Sequence, residues 1–194
     1  PRSTRWLLAA PGLYLLLFLA IPTIVVASKG AHFQSLVQLF HNSTFQQIAW
    51  FTVMQTTLST VLTVICALPV TFVLSRFSFT GRKFLLALVT TPFLLPTVVV
   101  GTSLFALLPT SLHYTATAII VAHVFFNMAV IVRLVMPRWS QIDPELMHAA
   151  HTLGASSLRT FLTITLPLIR PALGYASTAV ALFCFTSFGA VRIL

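Results

Sequence analysis

Acidic residues are almost missing from this chain: Asp143 and Glu145 are the only two in 194 residues, and both stand in one short segment. Charged residues of either sign make up 7%, where a soluble domain carries about a quarter. Too little polar surface exists to keep a folded chain of this length in water. The net charge of +9 follows from the shortage of acids, because the 11 Lys and Arg are scattered between apolar runs. Such scatter makes no basic stripe, and nucleic acid is excluded as a partner. Cysteine is scarce too. Cys66 and Cys184 fall inside apolar runs without metal-ligand spacing, so both read as small buried hydrophobes.

No G-x-x-x-x-G-K-[ST] phosphate loop occurs, and Gly81-Arg82-Lys83 is only a basic turn. Any use of ATP therefore needs a separate subunit. No acid falls at expected membrane depth, which argues against a proton- or sodium-coupled secondary transporter. That transporter class is the main alternative, followed by a membrane assembly protein without transport. No nucleophile with a base and no metal centre is evident, so neither enzymatic chemistry nor a cofactor is expected. Glu145, His148 and His151 share one helical face, but a solvated surface explains them better than a metal. His32, His41 and His113 fall on the outer side, where they support metal capture only weakly.

What the chain does have is apolar length. Hydrophobic residues make up 58%, and a helix needs about 20 of them to cross the hydrocarbon core. Five segments qualify: Trp6 to Ala27, Ile48 to Leu74, Phe84 to Leu108, Thr115 to Met136, and Pro171 to the end. The second is long enough to tilt or to extend into water. Pro69, Pro92 and Pro96 are expected to kink their spans. The chain starts at Pro1 rather than Met and stops inside an apolar run, so it reads as a fragment with a further span expected beyond Leu194.

Lys and Arg set the orientation, since cytoplasmic loops hold an excess of them. With the N-terminus inside, nine fall on or near the cytoplasmic side and only Lys29 and Arg192 outside. Trp6, Trp50 and Trp139 come at span ends, as expected of rings at headgroup level. The outer connections are Lys29 to Gln47, with a surface-lying helix near Phe33 to Phe40, and a turn at Pro109 to Tyr114. Residues 1–47 thus form the first span and its outer connection, and 48–194 a core with a cytoplasmic loop at 137–170.

That loop carries the most information. Asp143 suits a helix N-cap, Pro144 the first helical position, and Glu145 the positive helix start. Gly154 suits a left-handed terminating residue. A short helix over Pro144 to Leu153 is predicted, then a second from Ser156 or Ser157 that stops before Pro167. Ala149, Ala150, Gly154, Ile164, Leu166 and Pro167 keep the register Ala-Ala, three residues, Gly, nine residues, Ile-x-Leu-Pro. This pattern resembles the permeases of bacterial ATP-binding-cassette importers, in which a Glu precedes the alanines; His148 stands there in this chain.

The resemblance covers about Gln55 to the end. Gln55 to Arg76, Ala122 to Asn127 and Phe185 to Gly189 are similar to stretches of such permeases, the last two to the fused thiamine and ferric-iron permeases. It implies an all-α membrane bundle of the MetI-like type, seen here as the N-terminal half, in the bacterial inner membrane. It further implies that the loop, Asp143, Glu145 and His148 included, docks on cytoplasmic ATP-binding subunits. The other implied partners are a second permease half, on the same chain or a separate one, a periplasmic or lipid-anchored substrate-binding protein, and membrane lipid. Thiamine or ferric iron is the implied substrate.

Polar residues within the spans need partners other than lipid. His123 and Asn127 lie four apart, on one face of the fourth span. They are expected either along the translocation path or as hydrogen-bond links between helices. Gln55, Thr56, Ser59, Thr60 and Thr63 form a small polar band suited to close helix packing.

Overall fold

The computed structural model describes residues 4–30, 40–187 and 193. Among these, helices connected by short turns account for all regular structure. The chain divides into two compact units, residues 1–50 and 51–194. The expected surface helix near Phe33 lies almost wholly outside the described residues.

The first unit holds α1 (Thr4–Gly30). Its stretch Pro11–Ser28 has a mean hydropathy of 2.0, and none of it is buried within the chain. Such a surface is stable only against lipid or another protein. Asn42 Oδ1 then accepts from the Thr44 and Phe45 amides at 2.9 and 3.4 Å, which caps the start of α2 (Ser43–Arg76). This helix has 34 residues rather than the expected 27 from Ile48 to Leu74. At 1.5 Å per residue it is about 50 Å long, longer than the ~30 Å hydrocarbon core.

The second unit is built around α5 (Ala116–Ser140), which packs against α8 (Leu166–Phe185), α3 (Arg82–Leu94) and α4 (Thr97–Leu107). Thr115 caps α5 by accepting from the Ala118 amide. The core joins Leu74 of α2, Ile131, Val132 and Val135 of α5, and Ile169 and Val180 of α8, all fully buried. Fully buried Ala67, Ala129 and Ala176 let the helix backbones approach. Outward sites run the other way: Leu94, Leu107 and Tyr175 are 70%, 80% and 77% exposed. Polar atoms gather inside and apolar ones outside, as lipid demands.

The third span is not one straight helix. It breaks between α3 and α4, which meet at 110°. Pro96 cannot donate a helical N–H, and its ring drives Leu95 to extended backbone (φ −82°, ψ 149°). Pro92 stays inside α3 and is buried, so the break belongs to Pro96 alone.

The pair nevertheless crosses the bundle. Arg76 at the end of α2 bonds Ile142 just past the end of α5, and Arg82 at the start of α3 bonds Leu74 of α2. All three helix ends therefore share one face of the bundle. With α5 about 37 Å long, the chain from Arg82 to Thr115 must reach the opposite face, so α3 and α4 form one broken span.

One further expectation is refined and one is corrected. Trp139 stands at the end of α5 as expected, but its ring faces into the bundle. It is 2% exposed, with its ring centroid 5.7 Å from Phe72 and 6.0 Å from Phe161; its apolar area is buried by long-range packing instead. Trp50 is exposed within α2. The second arm of the loop does not stop before Pro167. It runs from α7 (Ser157–Thr160) through a π turn at Phe161–Thr165 directly into α8. The wider π turn precedes Pro167, which then occupies an early position of α8 where a missing donor is tolerated.

Candidate functional site

The loop between α5 and α8 is closed by its own backbone. α6 spans Pro144–Thr152, with Asp143 Oδ1 accepting from the Glu145 amide at 2.9 Å. At its other end Gly154 takes φ +82°. The Gly154 amide donates to the His151 carbonyl at 2.9 Å and the Ala155 amide to the Ala150 carbonyl at 3.0 Å. This pair is a complete Schellman closure. His151 Nδ1 lies 2.9 Å from the Ala155 carbonyl and braces the turn. Ser156 then caps α7 by accepting from the Arg159 amide.

The expected loop residues divide into two groups. Asp143, Glu145, His148 and Ala149 are exposed on α6, while Ala150 is buried beneath it. Ile164, Leu166 and Pro167 lie on the continuous second arm, the first two half-buried and Pro167 exposed. The outward face of the loop also shows Leu146, Leu153 and Leu158, at 47%, 87% and 67% exposure. Leu153 and Gly154 have open space around them, since a Cβ added at Gly154 would meet nothing within 4 Å. Among the described residues no three His, Cys, Asp or Glu side chains gather as a metal site. His113 Nε2 sits 3.0 Å from the Leu108 carbonyl, with its ring stacked on Phe105.

Two ties that sequence reasoning missed bind the loop to the bundle. Arg76 Nη1 donates to the Ile142 carbonyl at 2.9 Å, and Met147 Sδ accepts from the Thr165 hydroxyl at 3.7 Å. Between them opens a cavity of about 850 Å³ lined by Phe72, Trp139, Met147, His148 and Phe161. The first tie joins residues 66 positions apart, so no local pattern announces it.

Deeper in the bundle, the polar band of α2 meets α5 and α8. Ser59 Oγ lies 3.3 Å from His123 Nδ1. Asn127 Nδ2 donates to the His123 carbonyl at 3.0 Å and approaches Cys184 Sγ at 3.5 Å. Gln55 Nε2 reaches the Cys184 carbonyl at 3.5 Å. The Ser59, Gln55 and Cys184 contacts link α2, α5 and α8. They leave Gln55 Oε1, His123 Nε2 and Asn127 Oδ1 buried with no hydrogen-bond partner among the described residues. A cavity of about 230 Å³ lies beside His123 and Asn127, bounded also by Thr97, Gly101, Phe183 and Ser187.

An apolar, multi-pass helical bundle with a self-closed loop at one face is the architecture of a polytopic membrane protein. Residues 59–191 match the family described as binding-protein-dependent transport system inner membrane component, and the chain belongs to that family, the permease subunits of ABC importers. It is 30% identical over 171 residues to the molybdate/tungstate transport system permease protein WtpB of Pyrococcus abyssi, covering 88% of this chain and 69% of that protein. It is 29% identical over 208 residues to the sulfate transport system permease protein CysW of Synechocystis, covering 99% and 75%. The crystal structure of a bacterial ABC transporter involved in import of the acidic polysaccharide alginate has the same fold, with a TM-score of 0.70 at 19% identity over 96% of this chain and 76% of that one. The chain is thus a multi-pass inner-membrane transport subunit. The relatives named here are molybdate, tungstate and sulfate permeases, which departs from the expected likeness to thiamine and ferric-iron permeases.

Proposed function

We propose that this permease carries a small tetrahedral oxyanion of the molybdate, tungstate or sulfate kind inward, driven by ATPase subunits that grip the α6 loop. The carrying observation is the loop itself: a capped nine-residue helix closed by a Schellman turn in the Ala149-Ala150-Gly154 register. A surface loop with no partner has little reason to expose Leu146, Leu153 and Leu158 together. The substrate class rests on the relatives' names. The chain spans 69% and 75% of two of them, so those relatives are not double-length fusions, and a separate second permease half fits better than a fused one.

With the N-terminus and the loop in the cytoplasm, Arg76, Arg82, Lys83, Arg138, Arg159 and Arg170 fall on the cytoplasmic side, as the positive-inside bias asks. Closure of the ATPase pair displaces α6, and the displacement reaches the spans by two routes. One is the Arg76–Ile142 bond into α2; the other is the unbroken arm through the π turn into α8. ATP closure thereby shifts the balance between inward-open and outward-open bundles. A periplasmic or lipid-anchored binding protein delivers the solute on the opposite face.

The test is ATP-dependent uptake by the assembled importer in proteoliposomes, with its binding protein inside or outside as required, offered molybdate, tungstate and sulfate beside thiamine and ferric citrate. Uptake confined to the oxyanions is expected. Uptake of thiamine or iron alone overturns the substrate class, and uptake without ATP overturns the importer mechanism.

A further inference from the structure

We propose that the cavity at the first turn of α4 is an intramembrane subsite for the oxyanion, so that the permease itself holds the solute in transit. The inference rests on the substrate class proposed above and adds a binding step within this chain.

Three observations meet there. The break at Pro96 starts a new helix at the edge of the bundle, and Thr97, Val100 and Gly101 of its first turns line the cavity. The Val99 and Val100 amides bond the Pro96 carbonyl at 2.9 and 3.2 Å, which leaves the Thr97 and Val98 amides without a helical acceptor. A helix start of this kind favours negative charge.

The second observation is His123, 3% exposed, which lines the cavity with Nε2 unpartnered. Its other nitrogen faces Ser59, a fully buried serine for which Nδ1 is the hydrogen-bond partner. When the serine hydroxyl donates to Nδ1, the ring proton sits on Nε2, which then points a donor at the cavity. The Thr97 and Ser187 hydroxyls add donors from α4 and the end of α8. Thr186 also lines the cavity but spends its proton on the Leu182 carbonyl.

The third is electrostatic. No Asp or Glu occurs anywhere in the spans, so no carboxylate of this chain repels an anion at that depth. Asn127 Oδ1, 1% exposed and unpartnered, is an acceptor; a water between it and the anion satisfies both. At about 30 Å³ per water, a space of about 230 Å³ holds a tetrahedral oxyanion with part of its hydration.

The experiment is equilibrium binding of tungstate to the assembled importer in nanodiscs, with the binding protein omitted. Saturable binding is expected, displaced by molybdate and untouched by thiamine. Thr97→Val and His123→Gln should each weaken it about tenfold, the loss of a donor to an anion. His123→Gln also disturbs the Ser59 contact, so Thr97→Val, at an exposed position, separates ligand contact from packing. Absence of saturable binding, or binding unchanged in Thr97→Val, overturns the subsite. Oxyanion uptake that persists beside absent binding sinks the subsite and spares the proposed substrate class; loss of oxyanion uptake from the wild type sinks both.

Discussion

Arg76, the last residue of α2, holds the Ile142 carbonyl at 2.9 Å, one residue before the cap of α6. The bond ties the loop to the end of the second span. A guanidinium bound to a carbonyl in a part-buried setting is a directional strut, and its Nη2 is buried beside it. Arg76→Met should lower ATP-driven uptake about tenfold, the size of a ~1–3 kcal/mol coupling, while ATPase subunits still co-purify. Equal uptake in Arg76→Met would assign the whole transmission to α8.

Gly154 is needed for its backbone rather than its size. Its φ of +82° disfavours L side chains, yet a Cβ there has open space. Gly154→Asn should keep uptake, because Asn tolerates the left-handed region. Gly154→Val should lose ATPase association with the spans still inserted. Comparable association in the two variants, read by co-purification, would deny the turn its role.

Asp143 caps the start of α6 through the Glu145 amide. Asp143→Ala should cost that helix about 1 kcal/mol. Hydrogen exchange at residues 145–148 should accelerate by roughly fivefold to tenfold on that account, with α5 unaffected. Unchanged exchange would mean that packing, not the cap, holds the helix.

Pro96 sets the 110° bend between α3 and α4. Pro96→Ala restores a backbone donor and frees Leu95 to turn helical. Spin labels at Leu88 and Leu107, both exposed, should then move apart as the span straightens, and uptake should fall. A distance unchanged from the parent would show that the bundle, not the proline, imposes the bend.

What could be read from the sequence was local. Asp143 and Gly154 announce the ends of α6 because capping depends on neighbours within a few residues, and both behave as expected. The spans were legible from apolar length. Pro167 misled because a proline ordinarily ends a helix, whereas the π turn at Phe161–Thr165 carries the chain past it. Trp139 stands at the span end its sequence position suggests, but its burial was not legible, since Phe72 and Phe161, far away in sequence, cover it. The His123–Asn127 face was visible from its spacing. Its pairing with Ser59 and its cavity were not, since these depend on how α2, α4 and α5 come together.

The central measurement concerns the reach of the loop. Leu153, 87% exposed at the end of α6, is replaced by Cys in a chain with Cys66→Ala and Cys184→Ser, and membrane-impermeant maleimide is applied to vesicles of either orientation. The account predicts rapid labelling in inside-out vesicles stripped of ATPase, strong protection when the ATPase is added back, and none in right-side-out vesicles. Labelling from the periplasmic face, or labelling indifferent to the ATPase, would contradict it.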